Sequence, residues 1–310
     1  MATAAGTVAT DAAESAAPRK PPSGFWRKVR WHALNVFAGL VLLYLFIPIS
    51  VIILFSLNGP AGKFNLTWHK FSLDAWKHPF GAPGLQDAVV LSLKIAFLST
   101  LGATALGTLA ALALARYSFR GRSASNFAIF TPMATPEIVM GSSLLTLFIA
   151  TSGWPIVGLT LGFWTILIAH IMFNISYVIV TVKARVYGFD RRLEEAAMDL
   201  FANEWTTFRK ITLPLIMPGI GAAAALAFAL SIDDFVVTQF NSGAQITFPL
   251  YIYGASRNGV PVQVNVIGSL IFLVGVGGMF LNLVIQNRRA KRDALASAGQ
   301  LRLAQAAEAN

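Results

Sequence analysis

Long apolar runs separated by short polar segments dominate this sequence. Six of the runs reach the length of about 20 residues that a helix needs to cross the hydrocarbon core of a bilayer. They cover residues 33–57, 87–115, 125–150, 155–182, 215–239 and 264–286. The pattern therefore predicts an all-α membrane protein with six transmembrane helices.

Two of these runs have distinctive residues. The third contains Pro132, Pro136 and Glu137, and prolines are tolerated in a span when neighbouring groups or water satisfy the freed carbonyls. In the second run small residues recur at every fourth position, at Ala103, Gly107, Ala111 and Ala115. Such a stripe lets two helices approach closely, so we expect it to pack inside the bundle.

The ends of the chain differ from its apolar part. Residues 1–24 are rich in Ala, Thr, Ser and Pro without periodicity, which is typical of a disordered tail. No basic segment precedes an apolar one there, so we do not expect a cleavable signal. We expect a transmembrane domain over 25–287, with a polar segment at about 185–214, and a cytoplasmic C-terminal tail over 288–310.

Composition supports the membrane interpretation. Apolar residues make up 55% of the 310-residue chain and charged residues 12%, about half of what is usual for soluble domains. The absence of cysteine excludes disulfides and thiolate metal sites. The four histidines (His32, His69, His78 and His170) lack metal-ligand spacing, so we predict no metal site.

Basic residues indicate how the chain is oriented. With six spans, nineteen of the 24 Lys and Arg residues fall on one side, near residues 19–30, 116–122, 183–210 and 288–302. Lys and Arg are enriched in cytoplasmic loops, so we expect both termini and the polar segment to be cytoplasmic. The net charge of +10 then reflects topology and requires no nucleic acid.

The polar segment continues as EEAAMDLFANEWTTFRKITLPLIMP over residues 194–218. Apolar residues at helical spacing predict one helix with an apolar face that rests on the ends of the spans or on a partner: Leu193, Ala196, Ala197, Leu200 and Phe201. Asp190 is placed to cap this helix, and Asn203 to cap a second short one. We expect Pro214 to end the second helix.

This segment resembles the EAA loop of ABC-importer permeases, the binding-protein-dependent inner-membrane components. The matching residues are Glu195, Ala196 and Ala197 at the start and Ile211, Leu213 and Pro214 at the end. The glycine of the family pattern falls at Phe201, and glycine permits a positive φ that phenylalanine avoids. The stretches TPEIVMGSSLL (135–145), SIDDFVVTQF (231–240) and FPLYIYGASRNGVPVQVNVIGSL (248–270) resemble the spermidine/putrescine branch.

The resemblance implies a type I ABC-importer permease fold in the bacterial inner membrane. It also implies two copies of an ABC ATPase subunit, a second and distinct permease subunit, and an extracytoplasmic solute-binding protein. The EAA loop would dock on the ATPase through Glu194, Glu195, Ala196, Ala197, Asp199, Leu200, Phe201, Ala202, Phe208, Leu213 and Pro214. The sequence has no G-x-x-x-x-G-K-[ST] motif. We therefore expect a transport subunit that binds no cofactor, with ATP and Mg²⁺ used by the partner ATPase.

Carboxylates inside apolar runs are candidates for the solute pathway. An ionisable group at a helix centre costs roughly 2.5–3.5 kcal/mol on insertion and usually faces the bundle interior or a wet cavity. Three such residues are present, Glu137, Asp233 and Asp234. A negative cavity would attract a polycation, but the carboxylates could instead pair with Lys94, Arg257 or a partner subunit. Asn174 and Tyr177 are further candidates, with hydrogen bonding between helices as the alternative.

The leading hypothesis is therefore the permease subunit of an ATP-driven importer for a polyamine or a related organic cation. One alternative is the same kind of importer for another small organic solute. Another is an ion-coupled secondary transporter, in which Glu137 and Asp234 would bind protons or sodium ions. The EAA-like loop favours an ABC importer, because a secondary transporter has no use for such a loop.

Overall fold

The computed structural model describes residues 24–153 and 158–308 of the protein. The described residues are almost entirely helical, and their one β-type contact is an isolated bridge between Asn58 and Phe71. The helices are α1 (Gly24–Phe55), α2 (Asp74–Lys77), α3 (Leu85–Arg116), α4 (Arg122–Ala134), α5 (Glu137–Thr151), α6 (Phe163–Tyr187), α7 (Arg192–Asp199), α8 (Glu204–Thr207), α9 (Leu213–Ile232), α10 (Val236–Asn241), α11 (Phe248–Asn258) and α12 (Val262–Glu308). The predicted all-α fold class is thus confirmed. Of the predicted N-terminal tail, residues 1–23 lie outside the described residues.

Among the described residues, five helical segments are long and apolar enough to cross a membrane. They are His32–Phe55, Leu85–Arg116, Phe163–Tyr187, Glu204–Ile232 and Val262–Arg288. These segments confirm five of the six predicted spans, with boundaries that differ by one to eleven residues. The fifth begins earlier than expected because the polar segment runs into it as one continuous helix, and it ends at Ile232 instead of residue 239.

The third predicted span, 125–150, is not one straight helix. Helices α4 and α5 meet at an angle of 107° across a short break. Pro136 disfavours helical geometry in the residue before it, and Thr135 accordingly has extended backbone angles of φ −79° and ψ 133°. The pair is a broken span or a re-entrant loop, and Glu137 begins its second half.

The chain divides into two units, and the larger one covers Ser56–Ile271. Its main core lies where α3, α6 and α9 pack together. Ala103 and Ala111 are fully buried in this core, and a Cβ added to Gly107 would lie 2.6 Å from Cγ1 of Val178. The stripe of small residues therefore brings α3 against α6, as predicted.

A second cluster in this unit joins α5, α6 and α10. A Cβ at Gly141 would lie 2.8 Å from Cδ2 of Phe240, so the glycine allows α5 and α10 to touch. Asn241 donates its side-chain amide to the carbonyl of Val237 at 2.8 Å and to that of Gly141 at 3.4 Å. The short helix α10 is thereby fixed to α5.

The smaller unit consists of the chain up to Phe55 and from Phe272 onward. From His32 on, nearly all described side chains of α1 are exposed, which is expected for a helix whose partners are lipid or another subunit. Ser50 donates its hydroxyl to the carbonyl of Phe46 within this helix. Residues 288–308, predicted as a tail, continue α12 as helix.

Candidate functional site

The polar segment folds as two short helices, α7 and α8, joined by a tight turn. Asp190 Oδ1 accepts a hydrogen bond from the backbone N–H of Arg192 at 3.0 Å, and Asn203 Oδ1 accepts one from Thr206 at 2.8 Å. These contacts satisfy backbone donors that have no partner inside a helix. The cap predicted at Asn203 is confirmed. The cap predicted at Asp190 is wrong by one residue, because Arg191 occupies the N-cap position of α7 and Asp190 precedes it.

The turn between the two helices retains the geometry of a glycine turn. Phe201 has φ +64°, and it is the one non-glycine residue with positive φ in the part of the chain that the structure describes. The N–H of Phe201 donates to Met198 at 2.9 Å, and that of Ala202 donates to Ala197 at 3.1 Å. A left-handed conformation costs a residue with a Cβ about 1–2 kcal/mol. Because its side chain is 100% exposed, packing within the chain does not offset that cost.

Pro214 does not end the second helix, contrary to the sequence-based expectation. Residues Phe208–Thr212 form a π-helical turn, in which Leu213 donates to the carbonyl of Phe208, and the chain then continues as α9. A proline in an α-helix lacks one N–H and clashes with the carbonyl four residues earlier. The wider π turn changes the backbone just before Pro214, so the helix can run through it.

Glu194 ties the polar segment to the end of α3. It is 6% exposed, and its Oε2 accepts a hydrogen bond from Nη1 of Arg116 at 2.7 Å. Its Oε1 accepts from Nη2 of Arg116 and from the hydroxyl of Thr212. Arg116 closes α3 and Thr212 ends the π turn, so this cluster, the Glu194 clamp, joins three elements. A bidentate arginine–carboxylate pair is among the stronger protein contacts.

The electrostatics of the Glu194 clamp follow from these contacts. Burial by itself would raise the pKa of Glu194. Hydrogen bonds from Arg116 and Thr212, together with the positive charges of Arg116 and Arg191, outweigh burial and hold its pKa below the ordinary value. The carboxylate is therefore ionised at neutral pH.

The apolar residues of the polar segment point outward, and Glu194 points inward. Leu200 is 81% exposed and Phe201 is 100% exposed, and Leu193, Met198 and Trp205 are also exposed. We call these five residues the apolar patch. The expected coupling residues divide into exposed Glu195, Ala196, Asp199, Leu200, Phe201 and Pro214, half-buried Ala197, Ala202, Phe208 and Leu213, and buried Glu194. An apolar patch of this kind on a short polar segment marks an interaction surface.

A cavity of about 630 Å³ lies beside the Glu194 clamp. Leu109 and Tyr117 line it from α3 and the residue that follows, and Trp205 and Phe208 line it from the polar segment. The rings of Trp205 and Phe208 stack with centroids 5.9 Å apart. The cavity thus separates α3 from the polar segment, and Arg116 and Glu194 of the clamp form part of its wall.

The five pathway candidates lie in different surroundings. Glu137 is exposed at the start of α5, and Asp233 is exposed in the break between α9 and α10. Asn174 is fully buried, and its amide atoms have no hydrogen-bond partner among the described residues. Tyr177 is half-buried, with its ring edge-on to Phe173 at 5.2 Å. Two carboxylates, at two helix breaks, are therefore accessible.

Asp234 is paired inside the bundle. Its side chain is 6% exposed, and its Oδ2 lies 3.2 Å from Nε2 of His170. The same oxygen accepts hydrogen bonds from the N–H of Thr238 at 2.8 Å and from its hydroxyl at 2.7 Å. Of the pairing partners considered from sequence, Arg257 instead lies over the ring of Tyr253 at 4.6 Å, and Lys94 is exposed.

His170 is the residue that sequence reasoning missed. Of the four histidines it is the one that falls inside a predicted span. An ionisable side chain within an apolar run is a functional or structural signal in its own right, and that signal could have identified it.

Comparisons with known proteins give a consistent result. Residues 103–291 match a family described as the binding-protein-dependent transport system inner membrane component. The chain is 38% identical over 260 residues to the spermidine/putrescine transport system permease protein PotC of Haemophilus influenzae, covering 84% of this chain and 98% of that protein. It is 37% identical over 254 residues to the putrescine transport system permease protein PotI of Escherichia coli, covering 80% and 88%.

A solved structure shares the fold. A bacterial alginate ABC transporter, in complex with an alginate pentasaccharide-bound periplasmic protein, matches with a TM-score of 0.58 and 17% identity, covering 80% of this chain and 93% of that chain.

Proposed function

Because the chain belongs to the family of binding-protein-dependent transport system inner membrane components, we propose that it is the permease subunit of an ATP-driven ABC importer for spermidine, putrescine or a related polyamine. It is an integral protein of the inner membrane. Its partners are of the kind that ABC importers use.

The apolar patch is the single observation that carries the coupling role. Leu200 and Phe201 project fully from a segment whose Glu194 is fixed to α3 by Arg116. The apolar patch would fit a cleft on an ATPase subunit, because burial of its exposed apolar surface would favour docking. Movement of the ATPase would then reach α3 through the Glu194 clamp and α9 through the continuous helix that begins at Glu204.

Two accessible carboxylates support a cationic solute. Asp233 and Glu137 each lie at a helix break and are exposed in this subunit. Broken helices line solute sites in other transporters, and a carboxylate attracts an ammonium group at such a site. The names of the relatives at 37–38% identity agree with a polyamine. Asn174 and Asp234 are buried in this subunit, and we assign the first contact with solute to Asp233 and Glu137.

The assembly we propose contains two ATPase subunits, this permease, a second and distinct permease, and an extracytoplasmic solute-binding protein. The excess of basic residues on one side of the predicted spans supports a cytoplasmic position for both termini and for the apolar patch. ATP and Mg²⁺ would be used by the ATPase subunits, since this sequence contains no P-loop motif.

Reconstitution of the complete importer in vesicles tests the proposal. Vesicles that contain the permeases and ATPase, with the binding protein outside and ATP inside, should accumulate radiolabelled spermidine or putrescine when ionophores have removed all ion gradients. Uptake driven by an ion gradient without ATP would identify a secondary transporter instead. ATP-driven uptake of other small organic solutes, with polyamines ignored, would reject the substrate and retain the importer.

A further inference from the structure

One imidazole bridges the two sides of the break between α9 and α10. The Nδ1 atom of His170 lies 2.7 Å from Oγ of Ser231, one residue before α9 ends. The Nε2 atom lies 2.9 Å from Oγ1 of Thr238, in α10, and 3.2 Å from Asp234. His170 itself belongs to α6, so a third helix holds both sides of the break.

The hydrogen bonds of this cluster, the His170 latch, define its donors. The hydroxyl of Thr238 donates its hydrogen to the carboxylate of Asp234. Oγ1 of Thr238 can therefore only accept from His170, so Nε2 of His170 carries the hydrogen and donates it to Thr238. On the other side, Ser231 lies 2.9 Å from Oγ of Ser99 in α3, and the Ser99 hydroxyl also reaches the carbonyl of Ala96. The latch therefore extends across four helices.

The order of serine, histidine and aspartate is that of a hydrolase triad, but the surroundings exclude this role. Ser231 is 5% exposed, Ser99 is 0% exposed and His170 is 3% exposed. No substrate carbonyl could reach a serine enclosed in this way, and a nucleophile must contact its substrate. The cluster instead holds α3, α6, α9 and α10 together through hydrogen bonds.

The latch also fixes the elements that carry the two accessible carboxylates. Asp233 lies in the break itself, between Ser231 and Thr238. Helix α10 packs on α5 through Gly141, and α5 begins at Glu137. A shift of α10 relative to α9 would therefore move Asp233 directly and α5 through its contact with α10.

We propose that His170 is a positioning residue for the solute pathway, whose bridge from Ser231 to Thr238 and Asp234 sets the geometry of the α9–α10 break and of the carboxylates at Asp233 and Glu137. The inference rests on the proposed function, in which those two carboxylates meet the polyamine. His170 itself does not touch the solute.

Matched deletions of hydroxyl groups test the latch. Ser231→Ala and Thr238→Val each remove one hydroxyl that contacts His170. Ser269→Ala and Thr104→Val are their controls, because each removes a buried hydroxyl that has no hydrogen-bond partner among the described residues. His170→Phe would remove both contacts but would leave Asp234 buried without its histidine, so the hydroxyl deletions decide the question even if that variant does not assemble.

Two readouts separate positioning from folding. In the reconstituted importer, Ser231→Ala and Thr238→Val should raise KM for spermidine at least tenfold and leave ATP hydrolysis without spermidine within twofold of the unmodified complex. The controls should keep both values within twofold. Equal KM values for the latch variants and their controls would overturn the proposal.

A distance measurement tests the latch independently of transport. The chain has no cysteine, so Ala225→Cys in α9 and Gln239→Cys in α10, both exposed, can carry spin labels without competing sites. Thr238→Val should shift or broaden the distance between the labels, and Thr104→Val should not. If the importer takes up no polyamine but this difference is seen, the proposed substrate fails and the latch stands. If uptake is normal and no difference is seen, the latch fails alone.

Discussion

Replacing Glu194 by glutamine should loosen the connection between the polar segment and α3. The variant removes the charge that faces Arg116 and leaves the guanidinium, whose side chain is 26% exposed, without its carboxylate. Breaking a fully buried ion pair costs about 3–5 kcal/mol in free energy of unfolding. Because Arg116 keeps some contact with solvent, we expect a smaller loss of about 2 kcal/mol.

The adjacent residue supplies the control for this prediction. Glu195 has the same side chain but is exposed, so Glu195→Gln should leave the thermal stability of the permease unchanged. Glu194→Gln should lower the melting temperature by about 4 °C or more, measured on the detergent-solubilised complex. Arg116→Gln should lower the free energy of unfolding by a similar amount. The variant with both substitutions should be at least as stable as the less stable of the two single variants, because both substitutions remove the same interaction.

The pH dependence of stability gives the same interaction a second signature. The pKa of Glu194 is lower in the folded chain than in the unfolded chain, so the clamp contributes fully above the unfolded value, near 4.5. Its contribution falls as the pH drops through the folded pKa. The stability difference between the unmodified protein and Glu194→Gln should therefore be constant near neutral pH and shrink in acid. Equal melting temperatures for Glu194→Gln and Glu195→Gln at pH 7 would refute the clamp.

Three other variants address the turn, the pathway and the core. Phe201→Gly should relieve about 1 kcal/mol of backbone strain and raise the melting temperature, because glycine adopts a positive φ without penalty. Both Phe201→Gly and Phe201→Ala should weaken ATPase binding in a pull-down assay, and Phe201→Ala should show no gain in stability. Asp233→Asn and Glu137→Gln should each raise KM for spermidine uptake while the complex purifies intact; unchanged uptake in the double variant would remove both from the pathway. Gly107→Ala should cost about 1–3 kcal/mol, because its Cβ would lie 2.6 Å from Val178, and Val178→Ala in the same chain should restore part of the loss in a melting assay.

Local patterns along the chain were sufficient for the membrane class and for most of the helices. Apolar runs of sufficient length predicted the spans, because a helix in hydrocarbon must satisfy its backbone internally. The small residues at Ala103, Gly107 and Ala111 predicted the contact of α3 with a neighbour, and the cap at Asn203 followed from its own side chain. These features depend on residues within a few positions of each other.

Other features depend on atoms that are distant in sequence. The 107° bend at Thr135, the passage of the helix through Pro214 and the positive φ of Phe201 are set by the balance between local strain and the surrounding helices. A sequence pattern gives the local preference but not the packing energy that opposes it. For this reason the bend at Thr135 was underestimated from sequence, and the end of the helix at Pro214 was predicted wrongly.

The sequence by itself determined that this chain spans a membrane with helices and that its polar segment resembles a coupling loop, since both follow from periodicity and short motifs. Only the tertiary structure decided which carboxylates are paired. Glu194 meets Arg116 across 78 positions, and Asp234 meets His170 across 64, whereas Asp233, one residue away, stays exposed. Adjacent residues point in different directions around a backbone, so the partner of a buried charge is known only when the helices that surround it are in place.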